Sequence, residues 1–150
     1  PEHSKKLFSC KGEVIGPAPA THPNFLIWWD GDLTREILNK NWIAKYNPEA
    51  EGAMDRLFTA EGYKSWNGTK ATPIISADLH GDWREELILG AEDGKSLRLY
   101  TTTIPTKHRL VTLMHDPIYR LSVAWQNAAY NQPPHPGFSL VDSVSEPGGD

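Results

Sequence analysis

The chain has 150 residues, a formal charge of −4 and a pI near 5.9, with 39% hydrophobic and 10% aromatic residues. That length and apolar content suit one globular domain with a core of its own and exclude a disordered chain. Its lysines and arginines are scattered among acids, which excludes a nucleic-acid binder working through a basic patch.

The N-terminal run PEHSKKLFSCKGEVIG lacks the continuous apolar stretch of a signal peptide, and no segment has the length of a membrane span. It opens on Pro1 instead of Met, which suggests a processed chain or a fragment. Cys10 is the single cysteine, so no internal disulfide is available, and no Cys/His array has zinc spacing.

Strand-sized hydrophobic runs bounded by turn residues then follow: FLIWW (Phe25 to Trp29), REIL (Arg35 to Leu38), WIAKY (Trp42 to Tyr46) and RLFTA (Arg56 to Ala60). A second set repeats the rhythm with TPIISA (Thr72 to Ala77), ELILGA (Glu86 to Ala91), LRLYTTT (Leu97 to Thr103) and RLVTLM (Arg109 to Met114). RLSVAW (Arg120 to Trp125) and FSLV (Phe138 to Val141) read as strands of a partial third set. Gly31-Asp32 precedes Glu36 as Gly81-Asp82 precedes Glu86, so the motif repeats at an offset of 50. An all-β fold is therefore expected, and a four-stranded unit recurring every ~40–50 residues points to β-propeller blades. The blades would span residues 25–60 and 72–114, with a partial blade at 119–142, as the C-terminal part of one domain running through residues 1–150. A β-sandwich of similar strand count is the alternative, and it makes the fixed period accidental. Two blades and a remnant do not close a ring, so the chain reads as the tail of a longer protein.

In DLHGDWREE, Asp78, His80 and Asp82 alternate and Glu86 follows four residues on. Oxygen donors at alternate positions, a main-chain carbonyl at the seventh place (here Arg84) and a closing carboxylate are the pattern of calcium loops. His80 would contribute its carbonyl. The alternative is that these acids cap turns and pair with Arg84. Asp30 and Asp32, with Glu36, form a second copy, which could instead pair with Arg35. Glu92 to Lys95 reads as a hairpin turn, and His115-Asp116 as a turn before Pro117.

Ahead of the second knot lies NGTKATP, in which Asn67-Gly68 supports a turn of positive φ and Thr69 and Lys70 present a hydroxyl and an ammonium. Such a corner suits sugar hydroxyls and a uronic carboxylate. As a plain turn it would do nothing more. Trp66, Trp125 and Tyr130 are candidates for stacking on sugar faces, and the rigid polar loop NAAYNQPPHPG (Asn127 to Gly137) is a place for a site.

The runs NFLIWWDGDLTREIL, NGTKATPIISADLHGDWREELILG and LRLYTTTIPTKHRLVTLMHDPIYRLSVAWQNAAYNQPPHPGF, in this order from about Asn24 to Phe138, resemble the C-terminal part of rhamnogalacturonan lyases of polysaccharide lyase family 11. The resemblance implies an eight-bladed β-propeller holding several calcium ions, of which this chain would be roughly the last quarter. It implies secreted, extracellular action on pectin, cutting the rhamnose–galacturonic acid bond of rhamnogalacturonan I by β-elimination. It assigns Asn67, Gly68, Thr69, Lys70 and Tyr130 to substrate contact, with Lys70 as charge neutraliser or base. Asp78, His80, Asp82, Arg84 and Glu86, with Asp30 and Asp32, become calcium ligands. Further cleft residues would come from upstream blades, so the isolated chain is expected to be inactive. The rival reading is a non-catalytic, calcium-stabilised segment that binds carbohydrate or protein.

Overall fold

A computed structural model describes residues 5–21, 23–128 and 131–144. Strands β1 (Lys6–Phe8) and β2 (Val14–Pro17) form an N-terminal antiparallel hairpin. Strands β3 (Phe25–Ile27), β4 (Glu36–Asn39), β5 (Trp42–Tyr46) and β6 (Met54–Thr59) follow as an antiparallel meander in chain order. A second four-stranded sheet is centred on β9 (Glu86–Ala91). It pairs with β10 (Leu97–Tyr100), and also with β7 (Tyr63–Lys64) and β8 (Ile75–Ala77).

Period-two alternation decides which side chains go inward. Phe25, Ile27 and Trp29 from one sheet and Leu87 and Leu89 from the other are buried in one cluster with Leu38, Ile43 and Ala60. Phe58 joins the sheets through an edge-on contact with Tyr100, centroids 5.0 Å apart. Two antiparallel sheets sharing one core constitute a β-sandwich.

This corrects the propeller expectation. The described strands form separate antiparallel sheets of two, four and four strands, and none closes on itself. The 50-residue repeat is nevertheless present in the hydrogen bonding, as shown below; repetition of a strand unit does not by itself generate radial closure.

The expected third set of strands is also corrected. RLSVAW lies in helix α1 (Pro117–Trp125), because Asp116 caps it by accepting from the Ile118 N–H at 2.9 Å and Pro117 takes the first-turn position, where a missing N–H costs nothing. Its buried residues, Tyr119 and Ser122, are three apart, a helical spacing that alternation misses. Ser139 likewise caps the short helix α2 (Leu140–Ser143), and RLVTLM ends in a 3₁₀ turn over Leu113–His115. Tyr119, Leu113 and Leu140 pack with Trp28 and Trp83 into a second core.

Candidate functional site

The first acidic knot lies between β3 and β4. Gly31 adopts a φ of +87°, which brings its backbone against Thr106; a Cβ there would meet the Thr106 Cβ at 3.0 Å. The turn directs Asp30, Asp32 and Glu36 toward one point, with an oxygen of each within 4.8 Å of the others, a set that could hold a metal ion. The Lys45 ammonium occupies that point, 2.9 Å from Asp30 Oδ2, 2.7 Å from Asp32 Oδ2 and 2.7 Å from Glu36 Oε1. Burial disfavours the Lys45 charge, but its bonds to these carboxylates outweigh that and raise its pKa. Burial also opposes ionisation of Asp32, yet hydrogen bonds from Lys45 and Thr34 hold its carboxyl below the ordinary value. At the fully buried Glu36 desolvation prevails and the pKa is raised.

The second knot copies the first at the same offset. Glu36 Oε2 accepts from the Trp29 and Asp30 N–H groups at 2.7 and 3.1 Å, and Glu86 Oε2 accepts from those of Leu79 and His80 at 2.8 and 2.9 Å. Asp32 Oδ1 accepts from Thr34 N–H and Asp82 Oδ1 from Arg84 N–H. The contents differ. His80 stands where the first copy has Asp30, and Thr101, one residue beyond the Leu87–Tyr100 pair, stands where Lys45 follows the Ile37–Ala44 pair. Its hydroxyl donates to Glu86 Oε1 at 3.2 Å. Asp82 forms an ion pair with Arg84. Asp78 is buried, with Oδ2 accepting from Thr112 Oγ1 at 2.7 Å and Leu113 N–H at 2.8 Å. Among the described residues, Asp30, Asp32 and Glu36 form the converging set; Asp78, His80, Asp82 and Glu86 do not.

Between the copies lies a polar group that the sequence did not point to. Glu85 is fully buried, accepting from Trp28 N–H at 3.0 Å and from the Tyr119 hydroxyl at 2.7 Å, with Arg35 Nη2 at 3.4 Å. Desolvation raises its pKa against the opposing pull of Arg35 and these hydrogen bonds. The Arg35 guanidinium lies 4.3 Å from the Trp28 ring centroid and donates to the carbonyls of Leu26 (2.7 Å) and Pro134 (2.9 Å). It thereby attaches the loop after α1 to the first sheet.

The corner is built by Asn67, whose Oδ1 accepts from the N–H groups of Thr69 and Lys70, both at 3.0 Å. The left-handed residue here is Ala71, φ 54°, and not Asn67 or Gly68 as the sequence suggests. Gly68 and Thr69 are exposed, Lys70 is half-buried, and Trp66 beside them is 74% exposed. The loop after α1 is bound to this corner: Asn131 Nδ2 donates to Thr72 Oγ1 at 2.9 Å and Asn127 Nδ2 to the Ile74 carbonyl at 2.7 Å. The two segments singled out for substrate contact are therefore brought together. Tyr130 lies outside the described residues.

The family model for the rhamnogalacturonan lyase family 11 C-terminal domain matches residues 2–149, and the chain belongs to that family. It is 56% identical over 140 residues to rhamnogalacturonan endolyase YesW of Bacillus subtilis (strain 168), covering 93% of this chain and 22% of the relative. It is 49% identical over 149 residues to rhamnogalacturonan exolyase YesX of the same organism, covering 94% of this chain and 24% of the relative. The crystal structure of rhamnogalacturonan lyase YesW matches with a TM-score of 0.85 at 55% identity, over 95% of this chain and 24% of that one. The chain thus spans about a quarter of the length of these relatives.

Proposed function

We propose that this chain is the C-terminal quarter of a secreted rhamnogalacturonan lyase and supplies one wall of its substrate site. The carrying observation is that a chain with lyase relatives binds the loop after α1 to Thr72 and Ile74, directly behind its Asn67–Lys70 corner. In the proposed reaction the proton at C5 of the galacturonic residue becomes labile when a cation neutralises the neighbouring carboxylate, and a base then removes it as the bond to oxygen at C4 breaks. Lys70 neutralises that carboxylate in this reading, while Thr69 and Asn67 meet sugar hydroxyls and Trp66 offers a stacking face. Tyr130 is assigned to substrate contact by resemblance alone.

The remaining machinery, including the base, belongs to the rest of the lyase. Ile118, Leu121 and Trp125 form an exposed apolar stripe on α1, the kind of surface a neighbouring part of a larger fold covers. Calcium is a requirement of the whole enzyme in this reading; on this chain the converging carboxylates already enclose an ammonium, and the Asp78 set does not converge. A polymer of pectic size is cut outside the cell, which places the enzyme there.

The test is digestion of rhamnogalacturonan I by the full-length enzyme, with the newly formed uronate ends read by mass spectrometry. Elimination leaves them unsaturated and one water lighter; saturated uronate ends would mean hydrolysis and overturn the proposal.

A further inference from the structure

We propose that Lys45 is the resident cation of the Asp30, Asp32 and Glu36 cage, and that the cage takes no metal ion. The resemblance assigns calcium to Asp30 and Asp32, and the donor set disagrees with that assignment. An ammonium has three N–H donors, and here they go to Asp32 Oδ2, Glu36 Oε1 and Thr34 Oγ1 at 2.7 to 2.8 Å, with Asp30 Oδ2 completing the cage as an ion-pair partner at 2.9 Å.

The second oxygen of every carboxylate is also engaged, in each case by the backbone. Asp30 Oδ1 accepts from Asp32 N–H at 3.1 Å, Asp32 Oδ1 from Thr34 N–H at 2.7 Å, and Glu36 Oε2 from Trp29 and Asp30 N–H. No oxygen of the three is among the buried polar atoms without a partner, whereas Asp78 Oδ1 in the other knot is. A calcium ion draws its oxygens to about 2.3–2.6 Å and takes six to eight of them. Entering this cage, it would have to expel the ammonium and leave Lys45 charged beside a divalent ion.

Comparison of the two copies supports the same conclusion independently. At the equivalent positions of the second knot Lys45 becomes Thr101, Asp30 becomes His80 and Thr34 becomes Arg84, so the cation moves to the turn and pairs there with Asp82. In both copies the acid of the turn is thus met by a cationic side chain of the chain itself. In the first copy the consequence is a crosslink from β5 to the turn between β3 and β4 that persists when free calcium is scarce.

The test is the number of calcium ions bound per chain at equilibrium by the full-length protein and by its Asp32→Asn variant. Asp32 is half-exposed, and Asn keeps its shape. Equal stoichiometry is expected; loss of one ion in the variant would overturn the proposal. Independently of any variant, the rate of Lys45 acylation in the wild-type protein, read by mass spectrometry against an exposed lysine such as Lys40, should not change with calcium. Faster labelling of Lys45 when calcium is added would mean that the metal displaces it, and would equally overturn the proposal.

Discussion

Arg35 and Glu85 occupy the same position of two copies of a 50-residue motif, and they are each other's ion-pair partner, 3.4 Å apart. Chemically opposite residues at equivalent places convert a tandem repeat into a joint. The Trp28 carbonyl accepts from Glu85 N–H at 2.9 Å while Trp28 N–H donates back to the carboxylate, so backbone and side chain cross the same boundary.

Removing one side of this joint should be costly. Arg35→Met leaves Glu85 buried without its counter-charge, and a loss of about 3–5 kcal/mol in urea unfolding is expected. A loss below 1 kcal/mol would show that the carboxyl is held by Tyr119 and Trp28 alone.

Glu85 also sets a pH dependence. Its folded pKa is raised, so the native state holds its proton more tightly than the unfolded chain. Its contribution is therefore present below the ordinary glutamate value and is lost as pH rises from there through the folded pKa. Glu85→Gln should flatten that decline in a series of unfolding midpoints. Asp32, held low, acts in the opposite sense, contributing above the ordinary aspartate range and losing its contribution on acidification.

Tyr119 donates to Glu85 and accepts from the buried Asp78 N–H at 3.0 Å. Tyr119→Phe leaves both without this partner, for an expected loss of about 2–3 kcal/mol by thermal or urea unfolding. A near-neutral result would mean that water replaces the hydroxyl.

Lys45→Met leaves three carboxylates facing each other. A loss of about 1–3 kcal/mol is expected at neutral pH, the ammonium being partly solvated. The deficit should shrink on acidification, because protonation relieves the repulsion. A deficit that grows as pH falls would contradict the cage account.

How much of this was legible in the sequence depended on whether the signal was local. The four strands of the first sheet each overlap FLIWW, REIL, WIAKY or RLFTA, with β6 starting two residues earlier at Met54, because alternation and turn residues are local features. The two-residue turn at Lys40-Asn41 fixes the register that places Lys45 opposite Glu36. RLSVAW reads as a strand and His115-Asp116 as a turn before Pro117, whereas Asp116 caps a helix that Pro117 opens. The Arg35–Glu85–Tyr119 group was invisible, since its members are 50 and 34 residues apart and meet only once the sheets stack. Ring closure does not follow from a period, which records repetition without fixing how the units are arranged.

The central claim, that the corner takes part in the lyase reaction, is tested most directly by Lys70→Ala in the full-length enzyme, following ultraviolet absorbance of the unsaturated uronate formed from rhamnogalacturonan I. The account predicts steady product formation by the wild type and a fall of about 10²–10³ in kcat for the variant, as when one charge-stabilising donor is removed. Unchanged kcat with only a higher KM would contradict a part for Lys70 in the chemistry and reduce the corner to a binding contact.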